Sequence, residues 1–99
     1  MKAKFEKLIS GSTPVLVDFY ATWCGPCKAV PPILKQTKDT LGDKVTIIKV
    51  DIDKNGPLAN QYKVQAVPTL ILFKSGRIIW QQAGVVPANQ LIGKIQAVL

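Results

Sequence analysis

The apolar run Val15-Leu16-Val17-Asp18-Phe19-Tyr20 leads into Trp23-Cys24-Gly25-Pro26-Cys27, which holds both cysteines of the chain. The residues beyond, from Pro26 to about Thr40, read as a helix. A strand, a tight cysteine pair and a helix in that order define a β-to-α turn with two sulfurs in it. Cysteines three apart in a helical turn have Cα atoms about 5 Å apart, within the span a disulfide bridges. The first thiol faces the unpaired N–H groups and the positive end of the helix dipole, which favour its thiolate. Such a setting lowers a cysteine pKa from about 8.5 toward roughly 3.5–7.5, and the thiolate is the species that attacks a disulfide. By position, Cys24 at the helix mouth is expected to be the solvent-exposed nucleophile. Cys27, one turn further in, is expected to be the buried resolving thiol.

Two other uses of the pair carry less weight. Zinc usually takes four N or S ligands. The sequence has no histidine and no third cysteine, so only a dimer sharing four thiolates would complete such a site. No metal and no cofactor are expected. A purely structural disulfide closing so short a loop restricts the unfolded chain little. Redox exchange is the reading that C-x-x-C beside a βαβ pattern supports.

The 99 residues make one domain, residues 1–99, long enough to bury a core without staples. An apolar content of 47% fits a folded globule. No apolar run approaches the ~20 residues of a membrane helix, so no membrane role is expected. Met1-Lys2-Ala3-Lys4-Phe5-Glu6-Lys7 has no apolar signal-peptide core, which points to a cytoplasmic protein. The alternative is a periplasmic or secreted chain from which a signal has been removed. The net charge of +7 raises nucleic-acid binding. The lysines are nevertheless spread along the chain, with one arginine and no dense basic run with interleaved aromatics. The charge therefore reads as solvation plus attraction to acidic partners, and nucleic acid is not an expected ligand.

Phe5–Ile9 reads as the end of a short amphipathic helix, and Gly11-Ser12-Thr13-Pro14 stops it. Val15–Tyr20 and Val45–Val50 read as strands of a sheet covered on both faces. The helix between them carries Pro31 and Pro32, where a kink is expected. Asp51–Gly56 is a loop and Pro57–Tyr62 a short helix. Thr69–Phe73 and Arg77–Gln81 flank Lys74-Ser75-Gly76 as a hairpin. Pro87–Leu99 is a final helix with Leu91, Ile92, Ile95 and Val98 on one stripe. The order αβαβαββα makes the first two strands parallel, with a right-handed crossover, and the last two antiparallel.

Several separated motifs together resemble the thioredoxin family over nearly the whole chain. They are Val17–Lys28 with its Trp-Cys-Gly-Pro-Cys core, Lys49–Asp53, Val67-Pro68-Thr69-Leu70, Phe73–Gly76, and Gly84. The resemblance implies an α/β thioredoxin fold, a central mixed sheet with helices on both faces. It implies a protein-disulfide reductase that is itself re-reduced by a thioredoxin reductase. By position, Cys24 matches the attacking thiol and Cys27 the resolving thiol. Trp23, Gly25 and Pro26 match the surface that meets the substrate. Pro68 matches the family's cis-proline, and Gly84 a glycine lining the same groove. The chain departs from the pattern at Tyr20, where the family usually has tryptophan, and in its charge. It also departs at the N-terminus, where four residues precede Phe5 in place of a strand. A four-stranded sheet is therefore expected, shortened at the N-terminus, with Val45–Val50 at one edge and a monomer as the oligomeric state.

Asp18 lies inside an apolar strand, where an ionised carboxylate is costly unless paired. Lys49 occupies a similar place in the next strand, so the two can face each other as a buried ion pair. The functional alternative makes Asp18 the proton acceptor of Cys27, its pKa raised by burial. The resemblance supports the alternative and adds Lys49 to the catalytic set. Without the resemblance, Pro68 reads as a loop terminator before a strand, since about 5–6% of X–Pro bonds in folded proteins are cis. With a cis bond, the Val67 backbone is placed to pair with an extended substrate segment. Trp23 reads as partly exposed, and Trp80 as packing.

Two rivals differ from a reductant. An oxidant or isomerase on the same scaffold is disfavoured by the neutral Gly25-Pro26 between the cysteines, since a histidine there would stabilise the thiolate further. A non-catalytic binding module would use the apolar surface around Trp23 and Pro68 and would need neither thiol.

Overall fold

The computed structural model describes residues 2–99. Met1, part of the N-terminal stretch discussed above, lies outside the described residues. Helix α1 spans Lys2–Ile9 and buries Phe5 and Ile9. Strand β1, Val15–Tyr20, is buried along almost its whole length, which explains why its sequence is apolar everywhere but Asp18. Helix α2 is Val30–Leu41, and β2 is Thr46–Asp51. Helix α3, Gly56–Gln61, leads to β3, Thr69–Lys74, then β4, Arg77–Ala83, and α4, Ala88–Gln96.

The four strands form one sheet in the order β2-β1-β3-β4. β1 pairs with β2 in parallel and with β3 antiparallel, and β3 pairs with β4 antiparallel. This is the mixed four-stranded α/β architecture expected from the sequence. One face of the sheet packs Leu16, Leu70 and Leu72 against α2 and α4 through Leu34, Leu91 and Ile95. The other packs Val17, Phe19, Ile71 and Phe73 against Phe5, Ile9 and Leu58. Trp80 is partly buried against the first core, as its packing role required.

The helix expected from Pro26 to about Thr40 is divided just before Pro31 and Pro32. A separate turn of 3-10 helix, Pro26–Ala29, precedes α2, and the two prolines fall in the first turn of α2. The N–H groups there have no intrahelical partner, so proline costs nothing and its fixed φ suits the helix. The hairpin turn is also tighter than its sequence suggested. Lys74 and Arg77 are paired, and Ser75 and Gly76 have φ of 55° and 79°. Two positive φ values in a two-residue loop match the right-handed twist of the strands. The final helix is shorter than Pro87–Leu99: Pro87 is its extended N-cap, and it ends at Gln96 with Ala97 as C-cap.

Candidate active site

Strand β1 ends at Tyr20, and the chain turns so that the Cys24 N–H donates to the Ala21 carbonyl at 3.2 Å. Gly25 caps the 3-10 turn and Pro26 opens it. Cys24 and Cys27 form a disulfide with Cα atoms 5.4 Å apart. The Cys27 N–H points at Cys24 Sγ, 3.1 Å away. A backbone donor aimed at one sulfur favours negative charge on that sulfur.

Exposure does not separate the two thiols as expected. Cys24 is 4% exposed and Cys27 7%. Ala21 packs with both sulfurs, and Tyr20, Ile52 and Val67 lie against the group. In the disulfide the site is a covered pair, and the distinction between them is the hydrogen bond onto Cys24 Sγ.

The loop before β3 faces the disulfide. The Val67–Pro68 peptide is cis, and the Val67 carbonyl oxygen lies 3.6 Å from Cys24 Sγ. Gly84, at φ 96°, donates its N–H to the Pro68 carbonyl at 2.8 Å. That φ is readily adopted only by glycine, so Gly84 lets the end of β4 reach the proline loop. Trp23 is 69% exposed beside the disulfide, and its indole N–H donates to Asp53 at 2.9 Å. Asp53 was missed as a site residue. Its signal was its place in the Lys49–Asp53 motif, but nothing in the spacing tied it to a tryptophan thirty positions earlier.

Asp18 is 1% exposed, and its Oδ1 has no hydrogen-bond partner. The buried ion pair with Lys49, the structural alternative to a proton-accepting role, is not formed. The two are register partners across β1 and β2, but the Lys49 side chain is exposed and its ammonium lies 5.3 Å from the Tyr20 ring centre. A cation over an aromatic face gains attraction without leaving solvent. Burial pushes the Asp18 carboxyl from 3.8 up to about 6, with the charge of Lys49 pulling the other way. A cleft of about 240 Å³ brings Asp18, Cys24, Cys27, Lys28 and Lys49 to one opening. Among the described residues, no group of three or more acidic residues, histidines or cysteines is placed to hold a metal. Among the described residues, no helix is long and apolar enough to cross a membrane.

A thioredoxin family model matches residues 1–97. The chain is 47% identical over 98 residues to the chloroplastic thioredoxin Y of Oryza sativa, covering 98% of this chain and 58% of that protein. Against a thioredoxin-like protein of Synechocystis the identity is 47% over 95 residues, covering 95% of this chain and 90% of that one. The chain thus spans the length of some relatives and little more than half of others. Among solved structures, the thioredoxin of Malassezia sympodialis superposes with a TM-score of 0.86 at 36% identity, covering 98% of this chain and 85% of that chain.

Proposed function

The chain belongs to the thioredoxin family, and from that premise we propose that it reduces protein disulfides through a Cys24/Cys27 dithiol–disulfide cycle. The observation that carries the assignment of roles is the Cys27 N–H aimed at Cys24 Sγ. In the reduced protein the Cys24 thiolate attacks one sulfur of a substrate disulfide. The other substrate sulfur leaves as a thiolate and a mixed disulfide forms. Asp18 accepts the proton of Cys27, and the Cys27 thiolate attacks Cys24 Sγ. The second substrate thiolate leaves, and two electrons have passed from the protein to the substrate. The Cys24–Cys27 disulfide is the product state.

Supporting residues have matching parts. Trp23, Gly25 and Pro26 present the surface, with Trp23 steadied by Asp53. Val67 offers its backbone to an extended substrate segment, and Pro68 and Gly84 shape the groove beside it. Lys49 tempers the charge of Asp18. We propose a monomer working in the reducing cytoplasm, with a thioredoxin reductase as electron donor. The test is a trapping experiment. Cys27→Ser is expected to accumulate mixed disulfides with protein substrates through Cys24, and Cys24→Ser to accumulate none. The reverse pattern would exchange the roles, and substrate processing without either thiol would end the redox reading.

A further inference from the structure

Between α2 and the outer edge of β2 runs an open groove of about 420 Å³. Its apolar lining is Pro31, Leu34 and Ile47, and all of its charged lining is basic: Lys35, Lys38 and Lys49. Lys35 pairs with Asp39. Lys38 instead donates to the Val45 carbonyl, and Lys49 lies over the Tyr20 ring, so neither meets a carboxylate. The backbone beside the groove is equally unfinished. β2 is the outermost strand. Thr46 donates its N–H to Pro14 and Ile52 to Tyr20. The even-numbered residues of β2 thus turn their backbone groups toward β1, and Ile47 and Lys49 turn theirs outward.

We propose that this edge docks an extended acidic segment of a partner protein, added to β2 as a fifth strand. Strand addition takes affinity from main-chain hydrogen bonds and specificity from alternate side chains. Apolar side chains of the segment settle against Leu34 and Ile47, and its carboxylates meet Lys38 and Lys49. A second copy is the poorer occupant. Each copy carries a net charge of +7 and brings its own Lys44 and Lys49 to the shared edge. The inference stands apart from the redox chemistry, because the segment needs no cysteine.

The test uses the oxidised full chain and a labelled, cysteine-free peptide of about eight residues, the number that spans a long strand. Every second residue of the peptide is threonine and the positions between alternate valine with glutamate, so that valine and glutamate share the face turned to the groove. Fluorescence anisotropy is expected to show saturable binding of one peptide per chain. Lys38→Glu is expected to weaken it by about tenfold, as is N-methylation of the peptide's backbone amides, which leaves the protein untouched. Undiminished binding of the N-methylated peptide would overturn the strand-addition mode. Equal binding of an all-glutamate peptide or of single-stranded DNA would reduce the site to a general polyanion effect. Absence of saturable binding, or self-association of the chain that excludes the peptide, would also overturn it.

Discussion

Asp18 shows how a single residue can be locally costly and functionally apt. It sits in the middle of β1, with its carboxyl pushed up to about 6 by burial. An acid whose pKa is higher folded than unfolded holds its proton more tightly in the folded state. The penalty is therefore absent below about pH 4, grows between about 4 and 6, and is full above that, at about 3 kcal/mol. Asp18→Asn is expected to fold and to gain stability over the parent chain above pH 6, by up to that amount. The difference should vanish near pH 4, and denaturant titrations at both pH values measure it. The same substitution removes the proposed base. Disulfide reduction at pH 7 is expected to fall about tenfold or more, with the deficit shrinking at high pH, where Cys27 ionises unaided. A pH–rate profile unchanged by the substitution would leave Asp18 without a chemical role. The sequence exposed Asp18 as an anomaly, a carboxylate in an apolar run. It did not show that Lys49 would stand opposite yet turn to Tyr20, because pairing of the strands leaves the reach of a long side chain open.

At the scale of elements, β1 and β3 were legible because burial on both faces writes an apolar run, as in Val15–Tyr20. Strand β2, expected to be covered on both faces, is exposed or half-buried from Thr46 to Lys49 because it lies at the sheet edge. The edge position of β2 was legible too, but through the family resemblance rather than through periodicity. The start of α2 was not. Pro31 and Pro32 look like breakers, and only the preceding 3-10 turn, which ends at Ala29, converts them into first-turn residues. The edge position of β2 gives a direct expectation for amide exchange. Ile47 and Lys49, with outward N–H groups, are expected to exchange much faster than Thr46, Ile48 and Val50, while Leu16–Phe19 of β1 stays protected on both sides. Nuclear magnetic resonance of the isolated chain reads this alternation. Uniform protection along β2 would mean that another chain or segment already covers the edge.

Across the whole molecule, the site is assembled from parts that no local stretch contains. The end of β1 and the 3-10 turn bring the disulfide, the loop before β3 brings Val67 and Pro68, the end of β4 brings Gly84, and the loop after β2 brings Asp53 to Trp23. The cysteines and Asp18 could be found by reading along the chain. Val67, Pro68 and Gly84 were named only through the family resemblance, and the approach of Asp53 to Trp23 became visible only when the sheet order placed the loops at one end. The central claim is that this assembly makes a reductant, and the reduction potential of the Cys24–Cys27 couple tests it most directly. Equilibrated against glutathione redox buffers, the couple is expected to titrate as a two-electron pair at or below about −220 to −260 mV, the glutathione poise of a reducing cytosol by extraction. A value near about −120 mV, where strong thiol oxidants lie, would contradict the account.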